Sequence, residues 1–182
     1  RLLAGRMKEY RPEVVAITVP FPGNLYSALR CGEWIKVNYP EVTVVMGGGF
    51  ANTELRSLTD VRFFRFTDYL LLDDGELPLW RLFEHVTGQI GDSDLVRTFC
   101  LRGGKGKFLN DESAVIIPQK EVGVPDYSGL LLDRYVSVIE IVNPMHKLWS
   151  DGRWNKLTLA HGCYWGKCSF CDGTLDYIRR YE

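Results

Sequence analysis

Three short runs of β-branched and aliphatic residues recur along the first half of the chain: VVAITV at 14–19, VTVVM at 42–46 and YLLL at 69–72. Runs of this length with no polar alternation are the signature of strands buried on both faces, as in parallel sheets covered by helices. Between the first two lies NLYSALRCGEWIKVNYP, in which Leu25, Ala28, Leu29, Gly32, Ile35 and Tyr39 share one helical face before Pro40 stops it. After the third run, Pro78 suits a first helical position, Leu79, Leu82, Phe83 and Val86 follow at helical spacing, and Gly88 suits the C-terminal cap. Strand, helix and strand in alternation predict an α/β fold with parallel strands.

Each predicted strand ends in a loop of unusual chemistry: PFPGN at 20–24, GGGFANT at 47–53 and DDGE at 73–76. Parallel strands bring these loops to one edge of the sheet, the edge at which open α/β sheets bind ligands. Glycine after a strand often only supplies a turn with positive φ. Three in succession, Gly47, Gly48 and Gly49, bare a length of backbone and suit close approach by a bulky flat or phosphorylated ligand. The candidate contacts are therefore Pro20, Phe21, Gly47, Gly48, Gly49, Phe50, Asp74, Gly75 and Glu76.

A sheet of three strands is narrower than the usual five or six. The opening RLLAGRMKEYRP reads as a short helix with no strand before it, so the expectation is a chain that starts partway through its first domain. Over 91–150 the helical period is lost, and VRTFCL and GKFLN flank a GGKG turn, a β-hairpin inside a linker. GVPDYSGLLLDRY continues that linker with a helical piece at Leu130–Tyr135. A strand is expected at 155–160, a cysteine-rich loop at 161–172 and the start of a helix after Thr174. The implied organisation is the rear half of one domain over 1–90, the linker, and the opening of a second domain over 151–182.

With 46 % hydrophobic and 25 % charged residues the chain has the balance of a globular protein. Its 22 Lys and Arg against 23 Asp and Glu leave a formal net charge of −1, which gives no field to attract nucleic acid or an anionic membrane. No apolar run approaches the roughly 18 to 20 residues of a bilayer span, and Arg1 opens no signal peptide, so a cytoplasmic location is expected.

Five cysteines are too few for a disulfide scaffold. Cys31 and Cys100 stand alone in apolar patterns and read as small buried hydrophobes. Cys163, Cys168 and Cys171 form C-x4-C-x2-C, and Gly162 and Gly166 allow the backbone to curl so that three thiolates converge on one inorganic centre. A closed structural zinc site takes four ligands, with His161 as the only nearby candidate for the fourth. A four-iron cluster held by three thiolates instead keeps one iron open to chelate a substrate or cofactor. Phe170 is placed to shield such a cluster, with Trp165 nearby.

GCYWGKCSFCD resembles the cluster loop of the radical S-adenosylmethionine superfamily. The common form of that loop has three residues between its first two cysteines, where Tyr164–Lys167 make four. VVAITVPFPGN, VVMGGGFANTELR and DYLLLDDGELPLWRL resemble the last three strand and loop units of a cobalamin-binding domain, and NPMHKLWSDGRWNKLTLAHGCYW resembles the junction in cobalamin-binding radical S-adenosylmethionine proteins. The fold so implied is a partial Rossmann-like sheet, a linker, and the start of a (β/α) barrel. The resemblance further implies a [4Fe-4S] cluster on Cys163, Cys168 and Cys171, with S-adenosylmethionine on its open iron cleaved to a 5′-deoxyadenosyl radical by an electron from an external donor. Cobalamin would lie against Gly47–Gly49 and the neighbouring loops, carrying a methyl group or controlling the radical. The substrate is left open, and the exposed sheet edge of such a segment points to self-association.

Overall fold

The computed structural model describes residues 1–130, 159–169 and 171–182. The chain divides into two compact units, Arg1–Ile117 and Pro118–Glu182.

The first unit is an α/β structure around an open mixed sheet of five strands. Its elements are α1 (Leu2–Tyr10), β1 (Val14–Thr18), α2 (Pro22–Asn38), β2 (Thr43–Gly47), α3 (Gly49–Glu54), β3 (Tyr69–Leu71), α4 (Glu76–Val86), β4 (Thr98–Arg102) and β5 (Lys105–Leu109). The strands lie in chain order, β1 to β3 parallel and β4 and β5 antiparallel. All three predicted parallel strands and both predicted helices are present.

Alternation along the strands divides the core between two faces. Val45, Leu71 and Cys100 pack with Leu82, Leu79 and Val86 of α4. Met46, Leu70 and Phe99 pack on the other side with Ala28 of α2 and Ala51 of α3. A third cluster joins Met7 of α1 and Ile35 of α2 to Val44. Phe83, on the predicted face of α4, is 42 % exposed and lies outside these clusters. Cys100 is fully buried, as its apolar setting predicts, and that burial pushes its thiol pKa up; Cys31 is half-buried.

Three details differ from the sequence reading. Pro78 is the third residue of α4, not its first, which the helix tolerates because its first amides have no intrahelical acceptor. The GGGFANT segment is not all loop, since α3 begins at Gly49. The hairpin, read as part of a linker, continues the sheet: Tyr69 pairs with Cys100 and Leu71 with Thr98. Its apolar inward positions, Phe99 and Cys100 among them, complete both core faces, a long-range pairing that local pattern does not reveal. Its turn is the two residues Gly103 and Gly104, at φ 59° and 75°, the left-handed pair that a two-residue hairpin requires.

In the second unit a short helix α5 (Asp176–Arg179) follows Thr174. The strand expected at 155–160 and the helical piece at Leu130–Tyr135 lie mostly outside the described residues, as does the NPMHKLWSDGRWNK junction. Among the described residues no helix is long and apolar enough to cross a membrane.

Candidate functional site

The carboxyl ends of β1, β2 and β3 border a cleft of about 310 Å³ on the α4 side of the sheet. Its floor is apolar, from Ala16, Val45 and Leu71, and its rim holds Thr18, Gly47, Gly48, Asp73, Gly75 and Glu76. Helix α4 leaves the β1 end of this face open, and Ala16 and Thr18 are exposed there. Gly47, Gly48, Gly75 and Glu76 are thus brought together as the loop chemistry predicts. Pro20, Phe21, Gly49, Phe50 and Asp74 do not line the cleft. Phe21 precedes α2 and is largely exposed, while Phe50 packs against the core.

The glycine run also has a reason within the chain itself. A Cβ on Gly48 would stand 3.0 Å from both the N and the O of Val19, and its φ is 104°. One on Gly49 would meet the Pro20 carbonyl oxygen at 3.1 Å, and one on Gly47 the Leu71 oxygen at 3.3 Å. The Val19 amide donates to the Gly47 carbonyl at 2.7 Å, and the Phe50 amide donates to the Val19 carbonyl at 3.0 Å. Close packing of strand ends demands these glycines, and it makes one wall of the cleft bare backbone.

Several residues at this edge carry no local sequence signal. Asp73 adjoins the predicted Asp74, but only the structure shows that its side chain is 9 % exposed and paired with Arg56 and Arg97. Asn52 of α3 brackets its backbone. Nothing in residue type separates Asp73 from Asp74 and the exposed Glu76 beside it.

The cysteine loop of the second unit is held from behind by the C-terminal segment. His161 and Glu182 exchange backbone hydrogen bonds at 2.9 and 3.0 Å, and the Cys163 amide donates to the Ile178 carbonyl at 3.1 Å. Gly162 and Gly166 both have left-handed backbone, φ 78° and 57°, as the curl predicts. A Cβ on Gly162 would lie 1.8 Å from the Arg180 carbonyl oxygen, so no other residue fits that turn. Cys163 is half-buried and its Sγ accepts from the Gly166 amide at 3.3 Å; Cys168 and Cys171 are exposed.

The thiols sense one another. Desolvation first, then the charge and hydrogen bond of Cys168 and the charge of Cys163, raise the Cys171 thiol above its ordinary pKa. Among the described residues, however, no three His, Cys, Asp or Glu side chains are gathered into a metal-binding group. The loop therefore offers three soft donors, near one another and reachable from solvent, without a closed site. That donor set fits thiolate ligation of iron and sulfide. Trp165 is half-exposed, Tyr164 meets the edge of Tyr181 at 6.0 Å, and Phe170 lies outside the described residues. No protein-family model matches this chain, and no curated protein matches it.

Proposed function

We propose that the chain is a segment of a cobalamin-dependent radical S-adenosylmethionine enzyme, joining part of a Rossmann-like cobalamin-binding domain to the opening of a radical S-adenosylmethionine domain. The observation that carries this reading is the C-x4-C-x2-C loop, turned by two left-handed glycines and pinned by pairing with residues 178 and 182. Cys163, Cys168 and Cys171 would hold the [4Fe-4S] cluster, and the exposure of Cys168 and Cys171 would let S-adenosylmethionine approach it. Gly162 and Gly166, both left-handed, give the loop the curvature through which the three thiols would converge on the cluster. When bound, the cluster and S-adenosylmethionine supply reductive cleavage, with the electron from an external donor, and cobalamin supplies methyl transfer or radical control.

At the sheet, the bare wall of Gly47 and Gly48 and the open apolar floor would receive part of the cobalamin, with Glu76 at the rim for hydrogen bonding. The residues fit such a group: the wall is bare because a Cβ on Gly48 would collide with Val19, and the floor is open where Ala16 and Thr18 are exposed. A nucleotide- or phosphate-binding α/β module with a small structural zinc site is the competing reading. The apolar floor of Ala16, Val45 and Leu71 favours the first, since it suits the face of a bulky flat ligand better than a small anion.

The test is an anaerobic assay with a strong reductant. The complete enzyme should convert S-adenosylmethionine to 5′-deoxyadenosine and lose that activity when Cys168 is replaced by Ala. Sustained turnover without any of the three cysteines would overturn the assignment.

A further inference from the structure

Asp73 lies just beyond the end of β3, where two segments distant in sequence, 52–56 and the residue before β4, converge on it. Arg56, following α3, pairs with both of its carboxylate oxygens, with Nη2 at 3.4 Å from Oδ2. Arg97, the residue before β4, brings Nε to 3.4 Å from Oδ2. Asn52 closes the backbone side: its Oδ1 accepts from the Asp73 amide at 2.7 Å, and its Nδ2 donates to the Asp73 carbonyl at 3.2 Å. Arg97 is itself tied to the sheet, since its carbonyl accepts from the Leu72 amide at 3.0 Å.

Strain gathers at the same place. Among the described residues three non-glycines have positive φ, and two of them are Asp73 at 63° and Arg97 at 46°. Left-handed backbone at such residues costs free energy and persists where surrounding contacts over-determine it. An ion cluster this buried is a weak source of net stability, because desolvating the charges offsets their attraction. Its other consequence is geometric. Asp73, Gly75 and Glu76 line the cleft, so whatever holds Asp73 also holds that rim.

We propose that Asp73, with Asn52, Arg56 and Arg97, is a positioning latch for the rim of the strand-end cleft, and that the β4–β5 hairpin serves the site through Arg97. Only the identity of the ligand rests on the cobalamin reading. The hairpin thereby has a role beyond extending the sheet: it delivers a cation to the loop that follows β3.

Arg97→Ala and Arg97→Lys carry the same left-handed backbone cost and differ in the charge, so comparing them isolates the ion pair. In the full chain, amide hydrogen exchange over residues 73–77 should be about tenfold faster in Arg97→Ala, with β2 unchanged and parental protection restored in Arg97→Lys. Asp73→Asn keeps the left-handed preference and the Asn52 bracket while losing the charge, and should show the same faster exchange. Titration with aquocobalamin, followed by visible spectroscopy, should give about tenfold weaker binding in Arg97→Ala and recovery in Arg97→Lys. Parental exchange at 73–77 in Arg97→Ala or in Asp73→Asn would overturn the latch. A parent chain that does not bind aquocobalamin would overturn the cofactor reading instead, with exchange alone then deciding the latch.

Discussion

Leu82 of α4 and Cys171 of the thiol loop mark two ways in which this chain specifies structure. Leu82 is wholly buried among Val45, Leu71 and Cys100, and the strands and helices around it follow from apolar period and burial. Cys171 is exposed, and its loop owes its path to left-handed glycines and a few backbone hydrogen bonds with the C-terminal segment. The sheet is stabilised by what it removes from water. The loop has little to bury and keeps its three thiols accessible, a condition for coordination chemistry and a poor one for stability. Changes in the two regions should therefore register in different measurements.

The largest effect is expected from Gly162→Ala. With the Arg180 oxygen 1.8 Å from the new Cβ, the loop cannot keep its path. After anaerobic reconstitution the variant should hold almost no iron, while its thermal midpoint stays close to the parent's. Equal iron in variant and parent would erase the distinction between the regions.

Gly32→Ala probes the sheet in the opposite sense. Alanine favours an isolated helix over glycine by about 1 kcal/mol, but here its Cβ would meet the Phe66 carbonyl oxygen at 2.0 Å. Overpacking against backbone should win, for a net loss of about 2 kcal/mol in denaturant unfolding. A stabilised variant would show that α2 and the segment before β3 lie further apart than described.

A third expectation concerns β1, which among the described residues is an edge strand, with Ala16 and Thr18 exposed. Unpaired edges recruit other strands, so the isolated chain should self-associate in light scattering. A monomer at high concentration would show that this edge is protected.

The smallest effect lies at the hairpin. Arg102 donates to Asp92 from Nε at 2.6 Å and from Nη2 at 2.8 Å, which holds the Asp92 carboxyl below the ordinary carboxylate range. The folded chain thus binds this proton less tightly than the unfolded chain. The pair's contribution is present above the ordinary Asp value and is lost as pH falls through the lower folded value. Asp92 is 43 % exposed, so the contribution is below about 1 kcal/mol. Asp92→Asn should be slightly less stable than the parent near neutrality and equal to it in strong acid; a gap that widened in acid would contradict the pairing.

The parallel strands and their helices were legible because burial on both faces writes a continuous apolar run and a helix writes a period. The hairpin was legible as a hairpin from its two glycines. Its place beside β3 was not, since strand partners far apart in sequence are chosen by packing. At the strand ends the glycines could be found, but their clash with Val19 and Pro20 could not, nor could the burial of Asp73 between two arginines. The cysteine spacing was legible in full and carries the proposed chemistry, because thiol ligation depends on donor type and reach more than on burial.

The most direct test of the central claim counts what the cysteine loop binds. The purified chain, reconstituted without oxygen in the presence of iron, sulfide and zinc, should hold about four iron and four acid-labile sulfide per chain. Replacing Cys163, Cys168 or Cys171 by Ala should abolish both. One zinc per chain with no sulfide, or full iron and sulfide retained in Cys163→Ala, would contradict the account.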